Sequence, residues 1–140
     1  VEDPFGVKME IVQDPETPGF HHIHIRVPDP DATLKWYVDT FGGVRTKLKG
    51  QVDGIKYSNP NVWLLAQKAD GLAPSQGHAI DHLGWGVTNV GAKVAELAAK
   101  GLKTENPRPA RHLTVGFVVS PDGVRIEMVQ DRREDEFVGR

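Results

Sequence analysis

The sequence predicts an α+β fold made of two tandem βαβββ modules, and three observations carry that expectation. The first is an internal repeat. A strand-like stretch, a helix that ends at glycine and three more strand-like stretches occur twice along the 140 residues. The second is periodicity, with apolar residues at helical spacing in two segments and at alternating spacing in the others. The third is turn chemistry at matching places. Ser58-Asn59-Pro60-Asn61 and Ser120-Pro121-Asp122-Gly123 each stand before the last strand of a repeat.

The elements follow in order. Residues 1–18 hold three prolines and several acids, and only 7–12 suit a short strand, so they read as a peripheral arm. The first module spans 19–72. Its first strand is 20–27. Its helix is 31–41, with Asp31 as N-cap and Gly42 as the stop. Leu34, Tyr37, Val38 and Phe41 form the apolar face of that helix. Strands at 44–48, 54–57 and 62–67 follow. The second module spans 79–131, with a strand at 80–87. Its helix covers 90–100, carries Val90, Val94, Leu97 and Ala98 on one face and ends at Gly101. Its further strands are 104–106, 114–119 and 124–130. The first of these is the weakest, because Pro107 and Pro109 follow at once. Residues 132–140 form a charged tail. Each half pairs antiparallel within a mixed sheet and carries one helix on one face.

Composition narrows the function. With 39% hydrophobic residues the chain can build a core, and with no cysteine it has no disulfides, thiolate nucleophile or zinc–thiolate site. Any metal is therefore held by nitrogen and oxygen. A net charge of −2 gives no footprint for nucleic acid, and no apolar run is long enough to span a bilayer. The chain begins at Val1, as a processed exported form or a trimmed cytoplasmic one would, and the compartment stays open.

Strand alternation then locates a site. Ile23, Ile25 and Val27 suit the helix side of the first strand, which leaves His22, His24 and Arg26 on the other face. In the repeat, Leu83, Trp85 and Val87 face the helix, while His82, Gly84 and Gly86 do not. In the last strand Val124, Ile126 and Met128 face the helix, and Arg125 and Glu127 do not. If the two curved sheets close on a shared cavity, His22, His82 and Glu127 make a two-histidine, one-carboxylate metal set with open positions. The glycines beside His82 leave room for a ligand. His24 suits an alternative ligand, a general acid or base, or a pocket residue. Arg125 and Arg26 suit either a bidentate hold on a substrate anion or a rim salt bridge. Trp63 is placed as a pocket-lining residue, and Trp36 and Trp85 as core. His21 is read as structural or exposed and His78 as solvated. The loop of Arg108, Arg111 and His112 reads as a solvated basic loop or as one that closes on an anion.

The segments His22-Ile-His-Ile-Arg-Val, Trp36-Tyr37 with Phe41-Gly42-Gly43, Asp81-His82-Leu-Gly-Trp-Gly-Val and Ser120-Pro-Asp-Gly-Val-Arg-Ile-Glu127 resemble the vicinal oxygen chelate superfamily. That superfamily includes glyoxalase I, methylmalonyl-CoA epimerase, extradiol dioxygenases, and fosfomycin- and bleomycin-resistance proteins. The resemblance covers roughly residues 20–130. It implies metal ligation at His22, His82 and Glu127; the catalytic role expected of His24 beside Glu127, and the substrate contacts expected of Arg125, Arg26 and Trp63, come from the residues themselves and the strand faces they occupy. It implies one divalent ion, Fe, Mn, Zn, Ni or Co, and a small substrate that offers two adjacent oxygens. The chemistry implied is that of a lyase, isomerase or dioxygenase, in a homodimer. Many members take a fourth ligand at the position filled here by Leu65, which cannot bind metal, so a three-ligand site is expected. The alternative the resemblance offers is a metal-free binding protein of the bleomycin-resistance kind.

Overall fold

The two repeats fall into two units, Val1–Leu72 and Ala73–Arg140. The computed structural model describes residues 1–58 and 60–133. The turn residue Asn59 and tail residues 134–140 lie outside that description.

In the first unit β1 (His22–Val27) leads through Pro28 into α1 (Pro30–Phe41). Asp29 caps this helix, not the expected Asp31. Its side chain accepts the Ala32 N–H at 3.1 Å, and Pro30 then sits at the first helical position, where a missing N–H costs nothing. Asp31 lies in the first turn and pairs with Arg45 instead. Gly42 ends the helix as expected, at φ 74°, with its N–H bonded to the Val38 carbonyl. Leu34 and Tyr37 are fully buried, so the apolar stripe of the helix does face the core.

The strands β2 (Val44–Leu48), β3 (Val52–Ser58) and β4 (Asn61–Lys68) form an antiparallel meander, and β1 joins its far edge parallel to β4. The sheet order is β1-β4-β3-β2. Gly54 is required where β3 crosses β4. A Cβ there would stand 2.5 Å from Leu65 Cδ2 and 2.8 Å from the Leu64 carbonyl oxygen.

The second unit repeats the plan. The strand β5 (His82–Gly86) is followed by α2 (Val90–Ala99), then β6 (Thr104–Ala110), β7 (Leu113–Val119) and β8 (Arg125–Asp131), in the order β5-β8-β7-β6. Asn89 caps α2 through the Ala92 N–H, and Gly101 at φ 82° closes it. Val90, Val94 and Leu97 are buried, but Ala98, placed on that face by spacing, is exposed. The strand β6 runs well past Asn106. It is an edge strand with a register shift between Glu105 and Arg108, and an edge tolerates the missing N–H groups of Pro107 and Pro109. Ile126 and Met128 are fully buried, and a Cβ on Gly116, which pairs with Met128, would meet Val90 and Val94. That identifies the α2-facing side of this sheet and leaves Glu127 on the opposite side.

The arm makes no strand over residues 7–12; its described pairing is the isolated bridge Glu2–Lys8. Side chains tie it down instead, as described next.

Candidate functional site

The site residues lie on the sheet faces that turn away from the helices, and each unit presents its own set. In the first unit, register places Trp63 beside His22, Leu65 beside His24 and Gln67 beside Arg26. Neighbours across a sheet share a face, so these six form one surface. Trp63 is buried at 7% exposure, and the Lys56 ammonium lies 5.7 Å from its ring centroid. His24 and Arg26 are exposed, and His22 is half-buried.

The arm reaches this face through Glu10. Its Oε2 lies 2.7 Å from His22 Nε2 and 2.9 Å from His24 Nε2. The hydrogen bond from His22, followed by that from His24, holds the Glu10 carboxyl below its ordinary value of 4.5. On the other side of the ring, His22 Nδ1 lies 2.7 Å from His21 Nδ1, and His21 Nε2 lies 3.2 Å from Asp14 Oδ2. Asp14 is half-buried, with its side chain 4% exposed, and also meets the Lys49 ammonium at 3.1 Å; the His21 contact and then Lys49 lower its carboxyl. His21 is thus a bonded partner of His22 rather than a bystander.

In the second unit, β5 and β8 run parallel with His82 beside Arg125 and Gly84 beside Glu127. The Glu127 Oε2 lies 3.7 Å from His82 Nε2. His82 Nδ1 faces Asp81 Oδ1 at 2.8 Å, and a carboxylate only accepts, so this nitrogen carries the proton and Nε2 keeps its lone pair in the neutral ring. Asp81 also accepts from the Gly77 backbone N–H at 2.6 Å and from Arg125 Nη1 at 3.0 Å. Gly77 first, then His82 and Arg125, hold its carboxyl down at about 2. The His82 and Phe117 rings meet edge to face at 5.6 Å between centroids, and the Arg125 guanidinium carbon lies 3.7 Å from the Phe117 ring centroid. Arg125 Nη2 donates to Glu105 at 2.8 Å. Arg125 is therefore held in two salt bridges, with Asp81 and with Glu105. A Cβ on Gly84 or Gly86 would meet nothing within 4 Å, so the face beside His82 is open.

The donor chemistry suits a divalent metal. Two donors on one ion at bonds of about 2.0–2.2 Å stand roughly 3.0–3.4 Å apart, and the His82–Glu127 pair needs to close by a few tenths of an ångström. Side-chain exposures of 37% for His82 and 27% for Glu127 leave both in reach of an incoming ligand. Sequence reasoning missed Glu10, Asp14 and Asp81 as partners. Asp81 carried a signal, since it precedes His82 directly; Glu10 carried none, because nothing local ties an arm residue to strand β1. His78 is exposed, and His112 is exposed with Asp131 at 3.9 Å.

Comparison with known proteins matches residues 19–128 to the family model described as Glyoxalase/Bleomycin resistance protein/Dioxygenase superfamily. The chain belongs to this superfamily. Its members include lyases, isomerases and dioxygenases. A probable lactoylglutathione lyase of Synechocystis is 26% identical over 121 residues, covering 78% of this chain and 92% of that protein. Among solved structures, the fosfomycin resistance protein FosX of Listeria monocytogenes superposes with a TM-score of 0.64 at 16% identity, over 81% of this chain and 97% of that one. A possible glyoxalase from Bacillus cereus superposes with a TM-score of 0.63 at 21% identity, over 79% and 97%. At these identities the structures speak for the fold alone. No helix among the described residues is long and apolar enough to cross a membrane.

Proposed function

We propose that this superfamily member is a divalent-metal-dependent enzyme acting on a small substrate with two adjacent oxygens, with His22, His82 and Glu127 as metal ligands. The observation that carries the reading is the second unit's pair. His82 Nε2 stands 3.7 Å from the Glu127 carboxylate while Asp81 fixes the proton on Nδ1. Metal-ligating histidines are held this way by a carboxylate on the other nitrogen. A bound divalent ion would supply Lewis-acid stabilisation of charge developing on a chelated oxygen.

The remaining roles belong to the chain itself. His24, exposed two residues beyond His22 on the same face, suits proton transfer near neutrality. Glu127 has a second carboxylate oxygen for the same task. Trp63 offers an apolar wall beside His22, and Arg26 a guanidinium at the end of the same row. Arg125 serves a substrate anion by exchanging one of its two carboxylate partners. The reaction class in this reading is lyase, isomerase or dioxygenase chemistry, and similarity to a probable lactoylglutathione lyase supports the first. The reading includes a homodimer, supported by exposed Phe5, Met9, Ile11, Val12 and Phe20 in and next to the arm.

The test is elemental analysis of the wild type beside Glu127→Ala, each after exposure to mixed divalent metals. About one metal per chain in the wild type and almost none in the variant is expected of a three-ligand site. No metal in either protein would overturn the reading and move the function to metal-free ligand sequestration.

A further inference from the structure

The first unit carries donors that the proposed triad uses only through His22. Both imidazole Nε2 atoms of His22 and His24 converge on one oxygen, Glu10 Oε2, at 2.7 and 2.9 Å. The two rings lie edge to face at 4.6 Å, and the three ligand atoms stand within 4.8 Å of one another. Residues i and i+2 of a strand share a face, so the backbone of β1 itself aims both rings at the same point.

A count of hydrogens gives this cluster a direction. The row Asp14, His21, His22, Glu10 contains three contacts: Asp14 to His21, His21 to His22, and His22 to Glu10. Each needs one N–H, because the carboxylates at both ends only accept. Two neutral imidazoles bring two. The row therefore calls for one positive charge more than its neutral rings provide. Asp14 already has the Lys49 ammonium beside it. Among the described residues Glu10 is paired with these two histidines and with no lysine or arginine. The charge is called for at the Glu10 end.

We propose that Glu10, His22 and His24 together bind a divalent metal ion, with the N-terminal arm supplying the carboxylate. An ion between the three atoms satisfies the whole row with neutral rings. His22 donates from Nδ1 to His21 Nδ1, and His21 donates from Nε2 to Asp14. The imidazole–carboxylate donor set selects ions such as Zn, Co, Ni or Fe(II) over Mg or Ca. Donors on such an ion stand roughly 3.0–3.4 Å apart, so the cluster opens by a few tenths of an ångström. Glu10, with its side chain 62% exposed, can move that far. Because Nε2 of His22 binds one ion at a time, the inference rests on the proposed function only for His22 as a ligand, and the His82 and Glu127 variants keep the two readings distinguishable.

The experiment uses the full chain, stripped with a chelator and titrated with Zn(II) by calorimetry and with Co(II) by visible absorption. The proteins are the wild type, Glu10→Gln, Glu10→Asp, His24→Gln, His82→Ala and Glu127→Ala, each checked for folding by circular dichroism. Glu10→Gln and His24→Gln are expected to weaken binding by more than the roughly 10–100-fold lost with an outer-shell partner, and to change the Co(II) spectrum. Glu10→Asp is expected to recover part of both. Wild-type affinity and spectrum in Glu10→Gln and His24→Gln would overturn the inference. In that case loss of metal from His82→Ala and Glu127→Ala would leave the proposed function standing. The converse pattern would overturn the triad of the proposed function and keep this one. A wild type that takes up no metal would overturn both.

Discussion

Replacing Asp81 by Asn tests whether His82 is held ready for a ligand. The carboxylate receives three N–H groups, from Gly77 at 2.6 Å, His82 at 2.8 Å and Arg125 at 3.0 Å. His82 and Arg125 share Oδ1, and Gly77 uses Oδ2. An amide has one accepting oxygen and one donating nitrogen, so Asn cannot serve both sides. Either its NH2 group turns on the Gly77 N–H, or it meets His82 Nδ1 and the Arg125 cation. In both placements the negative charge that makes Nε2 more basic is gone. Outer-shell losses of this kind cost about 10–100-fold in metal affinity, and that is the expected drop for Asp81→Asn. Zn(II) titration by calorimetry measures it, and nitrogen NMR of the His82 ring reports whether Nδ1 still carries the proton. A folded variant with wild-type affinity and an unchanged tautomer would refute the reasoning.

Two further outcomes follow from the same coordinates. The Asp81 carboxyl sits at about 2, against an ordinary 3.8. A depressed carboxyl stabilises the fold fully above its unfolded value and loses that contribution as pH falls through the folded one, so acid should destabilise the wild type between about pH 4 and pH 2. Circular dichroism across that window should show a shallower decline in Asp81→Asn; parallel curves would count against the contact. Gly54→Ala should cost about 1–3 kcal/mol or more in urea unfolding, since the new Cβ meets backbone at 2.8 Å, while Gly84→Ala should stay within roughly 0.5 kcal/mol. Equal costs at the two glycines would contradict the packing described for β3.

The parts legible in the sequence were those whose cause is local. The apolar spacing of α1 and α2, Gly42 and Gly101 as stops, and the face that holds His82 and Glu127 all follow from periodicity and turn chemistry. Where two local signals compete, spacing alone does not choose between them. Asp29 and Asp31 both suit an N-cap, and Pro30 between them decides for Asp29, because proline is at home at the first helical position. Prolines in β6 argued for ending that strand early, but its place at a sheet edge, which depends on order and not on composition, lets it continue. Glu10 was out of reach for a different reason. Its partners lie twelve and fourteen residues on, with no pattern joining the arm to the strand.

The two units also solve one orientation problem twice by different means. His22 and His82 open corresponding strands of the repeat, and in each case the preceding residue takes Nδ1. Asp81 does so directly, with a carboxylate that Gly77 and Arg125 keep ionised. His21 does so as a relay, passing the demand to the buried carboxylate of Asp14, itself backed by Lys49. A histidine whose Nδ1 is committed has only Nε2 left for other partners, and in both units Nε2 points at a glutamate: Glu127 in one, Glu10 in the other. Ordering a ring costs side-chain entropy, and the His82 ring, 37% exposed, has little packing reason to be held so closely. The same arrangement built from unlike residues in both halves suits the ligand role proposed for His22 and His82, and it gives His21 and Asp81 one shared physical role, that of orienting the ring that follows.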